Sequence, residues 1–219
     1  MSDYTKVKLV GYTQPAEDFK DNFSDVKDLV AFCARVSNPS NQFNTETSDK
    51  LINYLKKHKH WSPFEMASVT MEIETTRDIA RQLLRHRSFS FQEFSQRYAD
   101  PTKDLMFVTR EARLQDMQNR QNSIPTQNKA LQDAWDAFQQ NVIEASKQAY
   151  NWAVTNGIAK EQARVVLPEG NTLSRLYVNG TIRSWIHYIE VRTEDGTQLE
   201  HIVLAKACAE AINKVFNIP

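Results

Sequence analysis

Residues 67–74 alternate without a break: Ala67, Val69, Met71 and Ile73 are apolar, while Ser68, Thr70, Glu72 and Glu74 are polar. A period of two over this length predicts a strand with one face in a core and the other in water. Thr76 then caps a helix in which Ile79, Ala80, Leu83 and Leu84 recur at helical spacing.

Shorter signals fill in the rest. Residues 6–12 and the stretch TLSRLYVN after the Gly170-Asn171 turn predict strands, and residues 104–110 (DLMFVTR) predict another. Helices are expected over DVKDLVAFCARVS after Ser24, and over DKLINYLKKHK capped by Thr47 or Ser48. Further helices are expected over 159–166 up to Pro168, over IRSWIHYIEVR opened by Gly180 and Thr181, and over 197–216 beyond Gly196. A long helix over 129–155 carries a stripe of Leu131, Ala134, Trp135, Phe138, Val142, Ala145, Ala149 and Trp152, a packed or inter-subunit face, and Gly157 ends it. Residues 60–66 read as a connector, and 123–128 as a polar hinge. Strands and helices mix without regular alternation. This predicts an α+β fold: a single domain over 1–219 with a curved, mostly antiparallel sheet flanked by helices.

Lysine and arginine number 27 and so do aspartate and glutamate, so bulk attraction to nucleic acid or membrane is not indicated and any anion site must be local. With five glycines there is neither a G-x-G-x-x-G nor a phosphate-binding G-x-x-x-x-G-K-[ST] loop, so arginines would have to hold phosphates. No apolar run is long enough to span a membrane, and the N-terminus lacks a signal-peptide core, which predicts the cytoplasm, or the host cytoplasm if the source is viral. Cys33 and Cys208 lie in apolar helical surroundings and read as buried small hydrophobes.

The local charge sits at 77–98, where Arg77, Arg81, Arg85, His86, Arg87 and Arg97 face only Asp78 and Glu93. Arg77, Arg81 and Arg85 form a drifting stripe, and Arg77 alone reads as a solvated surface residue. Arg85, His86 and Arg87 repel one another unless something anionic lies at the helix end, and guanidinium suits phosphate. The loop that follows mixes Phe89, Phe91 and Phe94 with hydroxyls, an amide and a carboxylate. A nucleotide site and a single-stranded nucleic-acid surface both fit this composition, the second less well because the chain carries no net charge. His58, His60 and Glu65 are too sparse for a metal site, and none is expected.

Arg85-His86-Arg87, seven residues and then Ser95 resemble the R-H-R-x7-S signature of flavin-dependent thymidylate synthases. His60 to Glu65 (HWSPFE) resembles that family's H-x-[ST]-P-F-E segment. Arg81-Gln82, Arg164 to Pro168 (RVVLP), and Thr181 to His187 with Arg192 resemble three further segments, in the family's order.

The resemblance implies reductive methylation of dUMP to dTMP, with methylenetetrahydrofolate as carbon donor, NADPH as reductant and FAD as mediator, in a homotetramer with sites between subunits. It implies that FAD is held by Ser62, Arg85, His86, Arg87, Glu93 and Thr181, with Arg183 and His187 reaching it from another subunit. It implies that dUMP is held by Gln82, Leu83, Leu84, Arg85, Glu93, Phe94, Ser95, Gln96, Arg97 and Arg164. Arg192 would meet the uracil ring and favour its ionisation, and His60 would lie near the flavin. The fixed cation suits electrostatic activation without a covalent enzyme bond. Cys33 and Cys208 have no activating neighbour in sequence. Gln92, Met66 and Gly196 depart from the family pattern, and His201 is a candidate substitute for a flavin-contacting histidine otherwise expected at 196.

Overall fold

The computed structural model describes residues 4–216. In chain order its elements are β1 (Lys6–Tyr12), α1 (Val26–Ala34), α2 (Ser48–Lys57), β2 (Ser68–Thr76), α3 (Arg77–Leu83), β3 (Ser90–Glu93) and α4 (Pro101–Asp104). There follow β4 (Arg113–Gln115), β5 (Ser123–Pro125), α5 (Lys129–Thr155), α6 (Lys160–Ala163), β6 (Leu173–Thr181), α7 (Ile182–Thr193) and α8 (Leu199–Ile212). The α+β class holds.

Four strands form one antiparallel sheet in the order β1-β2-β6-β3, with a register shift in β1 between Leu9 and Gly11. β2 and β6 are the central strands, and the alternation of β2 turns one face of the sheet into the core. Val69, Met71 and Ile73 are buried, as are Leu176 and Val178 on β6. The opposite face is a polar ladder: Tyr177 Oη donates to Glu72 Oε2 at 2.7 Å, Arg175 Nε to Glu74 Oε1 at 2.8 Å, and Lys8 Nζ to Glu72 Oε1 at 3.2 Å. Cross-strand pairs of this kind stabilise a sheet by a few tenths of a kcal/mol each, up to about 1 kcal/mol.

Helices α7 and α8 cover the apolar face, with α1 and α2 completing the core. Trp185 is fully buried, and its Nε1 donates to the Val69 carbonyl at 3.1 Å, tying α7 to β2. A buried indole N–H without a partner would be costly; with one, truncating the ring still costs about 3–5 kcal/mol.

Three local expectations fail. Residues 104–110 are not a strand: Asp100 accepts from the Thr102 N–H, Pro101 opens the short helix α4, and only Phe107 bridges to Thr172. Ser123–Pro125 is not a hinge but β5, paired with β4. The loop after Arg87 contains a strand, β3, along the edge of β6. The long helix has the expected bounds, its first turn capped by Asn128 and its end followed by Gly157 at φ +80°. Its apolar stripe is the face the described residues leave uncovered: Trp135, Phe138, Val142 and Trp152 are all exposed. The buried face is Gln139, Ile143, Ser146, Tyr150 and Ala153. Among the described residues no helix is long and apolar enough to cross a membrane.

Candidate active site

The strand-to-helix switch at Thr76 starts α3, whose C-terminal end meets the start of α8 through Gln82 bonded to Gln198 and His201. The helix stops at Leu83, and Arg85-His86-Arg87 lie in the tight turns that follow, closed by His86 N to the Leu83 carbonyl at 3.0 Å and Phe89 N to the His86 carbonyl at 3.2 Å. Phe89 anchors that turn against Trp185, with ring centroids 4.4 Å apart. Gly180 makes the anchoring possible, because a Cβ there would sit 2.2 Å from Phe89 Cδ1.

The first cluster is built on this turn. Arg192 Nε donates to His86 Nε2 at 2.9 Å, and the Tyr188 ring meets His86 edge-on at 5.0 Å. Burial, then the charges of Arg192, His187 and Arg85, lower the His86 pKa from 6.5 to about 4. His86 is therefore neutral at pH 7, accepts at Nε2 and carries its proton on Nδ1. It holds the Arg192 guanidinium by one edge without neutralising it. No carboxylate among the described residues ion-pairs with Arg192, Arg85 or Arg87. Arg85 and Arg87 are exposed. Behind them Gln82 is bonded to Gln198 and to His201. His201 is fully buried, so it does not stand in for a surface histidine at 196.

The second cluster overturns the surface assignment of Arg77. Its side chain is buried and pairs with Glu93 Oε1 at 3.2 Å, and Ser174 Oγ donates to the same oxygen at 2.8 Å. The pairing arises because α3 and β3 both flank β6. Arg77 and Arg81 line a polar cavity of about 380 Å³ with Gln96, Arg164 and Glu169. Gln96 Nε2 is buried there without a hydrogen-bond partner among the described residues. Arg81 is paired with Glu169 at 3.2 Å, and Arg97 lies 3.8 Å from Glu161. The arginine stripe is thus interrupted by carboxylates and is not a continuous cationic track.

The third cluster is on the opposite flank of α7. Arg183 pairs with Glu65, and a cavity of about 420 Å³ is lined by Trp61, Ser88, Ser184 and His187. Ser62 opens the neighbouring 3-10 turn, and Thr181 caps α7 by accepting from Ser184 N. His60 is exposed just before that turn. Its N–H reaches the Leu55 carbonyl at 2.8 Å, and Lys59 takes φ 57° to end α2, a left-handed closure usually given to glycine.

The structure therefore brings Gln82, His86 and Arg192 together, sets Glu93, Gln96 and Arg164 in a second group, and sets Ser62, Arg183 and His187 in a third. Ser95, Phe94 and Arg97 follow β3 beside the second group. Leu84 is half-buried, and the Leu83 side chain is in the core. Ser174, Tyr188 and Gln198 carried no motif and were not anticipated, while Glu65 lay in the HWSPFE segment without a site role and Arg77 was read as a surface residue. Cys208 is fully buried and Cys33 partly so, and burial raises both thiol pKa values, away from nucleophilic use. No group of three or more His, Cys, Asp or Glu among the described residues comes together as a metal site.

A family model described as "Thymidylate synthase complementing protein" matches residues 20–217. A probable flavin-dependent thymidylate synthase of Paramecium bursaria Chlorella virus 1 is 48% identical over 209 residues, covering 95% of this chain and 94% of that one. A flavin-dependent thymidylate synthase of Synechocystis sp. is 45% identical over 210 residues, covering 96% and 95%. Among solved structures, a UMP/dUMP methylase, PolB from Streptomyces cacaoi bound with 5-Br dUMP, superposes with a TM-score of 0.79 at 25% identity, over 96% of this chain and 90% of that one.

Proposed function

Since the chain belongs to the flavin-dependent thymidylate synthase family, we propose how its residues divide the work of methylating dUMP. The chain is a methyltransferase that converts dUMP to dTMP with FAD as cofactor. Methylenetetrahydrofolate is the proposed carbon donor and NADPH the proposed reductant. FAD, when bound, supplies the hydride and mediates the one-carbon transfer, chemistry that belongs to the cofactor.

The residues fit such a group. Arg85 and Arg87 are exposed guanidinium groups at a helix end with no ion-pair partner among the described residues, suited to a pyrophosphate. His86 and Glu93 complete the FAD contacts of one subunit, and Ser62 and Thr181, which lie with Arg183 and His187 in the third group, act with them from another subunit. In the polar cavity, the orphaned Gln96 amide beside Arg164 and Arg77 suits an anionic oxygen, and the dUMP phosphate is assigned there with Ser95 and Arg97. Gln82, Leu83, Leu84, Arg85, Glu93 and Phe94 complete the dUMP site.

The observation that carries the mechanism is the Arg192–His86 bond. A neutral histidine fixes the guanidinium and leaves its charge and its remaining N–H groups free for the uracil ring. A preorganised cation beside developing negative charge stabilises the ionised ring and so raises the nucleophilicity of C5. His60, on its stiff turn, is the residue we assign to the neighbourhood of the flavin.

A homotetramer with shared sites accounts for two further features. Arg183 and Arg192, on one helix, serve different clusters. The exposed apolar stripe of α5 needs a cover, and a second subunit provides one. The interrupted arginine stripe counts against the single-stranded nucleic-acid reading.

The test is NADPH oxidation by the FAD-loaded protein on addition of dUMP, with tritium released from 5-tritiated dUMP only when methylenetetrahydrofolate is present. Arg192→Ala should lower turnover about 10²- to 10³-fold with the fold retained. Near-normal turnover removes the role of Arg192; a protein that ignores both FAD and dUMP sinks the enzyme reading.

A further inference from the structure

Behind Gln82 lies a chain of buried polar groups whose hydrogen bonds can run in only one direction. It starts at Glu200, a residue 4% exposed, whose carboxylate accepts from Arg113 Nη2 at 2.7 Å. Burial opposes its ionisation, but its own backbone N–H, Arg113 and Gln198 outweigh this and hold its pKa below the ordinary value. An ionised carboxylate only accepts, so Gln198, 3.0 Å away, must turn its Nε2 toward Glu200. That leaves the Gln198 carbonyl facing Gln82, whose Nε2 donates to it at 2.8 Å. Gln82 then presents its own carbonyl to His201 Nδ1, 3.1 Å away. Nδ1 must therefore carry the hydrogen. His201 is fully buried, and burial, then the charges of Arg192 and His86, lower its pKa from 6.5 to about 3. Its Nε2 is thus a lone pair and accepts from the Tyr188 hydroxyl at 3.2 Å.

We propose that Glu200, Gln198 and His201 are positioning residues that fix the face of the Gln82 amide, so that its one remaining N–H is held in place for dUMP. The proposal rests on the assignment of Gln82 to the dUMP site. Reversing the Gln82 amide would require reversing Gln198 as well, which would set a carbonyl against a buried carboxylate. The ionised end of the chain, remote from the substrate, therefore dictates the donor at the substrate end. A glutamine without this chain can present either end of its amide, and an anionic substrate can use only one of them.

The experiment is calorimetric titration of dUMP into the FAD-loaded protein, with FAD affinity and thermal midpoint measured in parallel. His201→Leu removes the donor to Gln82 and should weaken dUMP binding roughly five- to tenfold without changing FAD affinity. His201→Asn keeps a donor near the Nδ1 position and should recover most of the loss. Should the leucine variant not fold, Glu200→Gln tests the same point, because a neutral amide no longer dictates direction, and dUMP binding should weaken while FAD affinity holds. A double-mutant cycle separates positioning from general loosening: in a Gln82→Ala background, His201→Leu should have no further effect on dUMP binding. An equal loss with and without Gln82 overturns the relay. So does unchanged binding in both His201→Leu and Glu200→Gln while Gln82→Ala remains weak, and this leaves the assignment of Gln82 standing. If Gln82→Ala itself binds dUMP normally, the assignment and the relay fall together.

Discussion

His201 also makes a thermodynamic prediction that needs no substrate. Its folded pKa, about 3, lies below the ordinary 6.5 because burial and the charges of Arg192 and His86 disfavour the imidazolium. Between those values the unfolded chain binds a proton that the folded chain refuses. Stability therefore rises with pH across that window and is lost as pH falls below 6.5, levelling off near pH 3. Integrated from neutral pH down to pH 5, this one group removes about 2 kcal/mol. His86 acts in the same direction, from 6.5 down to about 4, but it is half-exposed and present in both proteins compared. The perturbation is His201→Leu and the assay is urea denaturation of the apoprotein at pH 7 and pH 5, at fixed protein concentration. The variant should be less stable than the parent at pH 7, having lost the bonds to Gln82 and Tyr188. Its stability should also change less with pH, by about 2 kcal/mol over the interval. The carboxylates with lowered pKa values, such as Asp78 and Glu200, titrate below this range. A variant whose pH dependence matches the parent's to within about 0.5 kcal/mol would refute the reasoning, because no buried neutral histidine would then be contributing.

Two structural perturbations bear on the site. Gly180→Ala places a methyl group 2.2 Å from the Phe89 ring, so it should cost about 1–3 kcal/mol in denaturant and weaken FAD binding by displacing the Arg85–Arg87 turn; a neutral effect would mean the turn is not seated by Phe89. Arg77→Leu strands the Glu93 carboxylate and should cost about 3 kcal/mol by the same assay, whereas an unchanged midpoint would show that Ser174 alone holds Glu93.

Where one repeating physical cause governs a stretch, the sequence was readable. β2 follows from period-two burial, and α5 from its helical apolar stripe closed by Gly157. β3 was missed because four residues are too few to show a period and its polar positions resemble a loop. The stretch 104–110 looked like a strand, yet the helical turn at Pro101 and the sheet order leave it only one bridge. The R-H-R signature located the turn but not what supports it. Arg77 looked solvated because its partner Glu93 lies 16 residues on, and Ser174 is 81 residues beyond Glu93. A buried ion pair between flanking elements leaves no local pattern. The stripe on α5 was read correctly as an apolar face, but periodicity says nothing of which chain covers it.

The two edges of the main sheet share a property. β3 is four residues long, and β1, at the other edge, points Lys6 and Lys8 outward and breaks its register before Gly11. Short, charged and irregular edges are poor templates for another chain's backbone. The sheet is thus protected against growing by strand addition, both into fibrils and into accidental dimers. Any contact between two such sheets is left to side chains, whose shapes and charges can specify a partner as backbone pairing cannot.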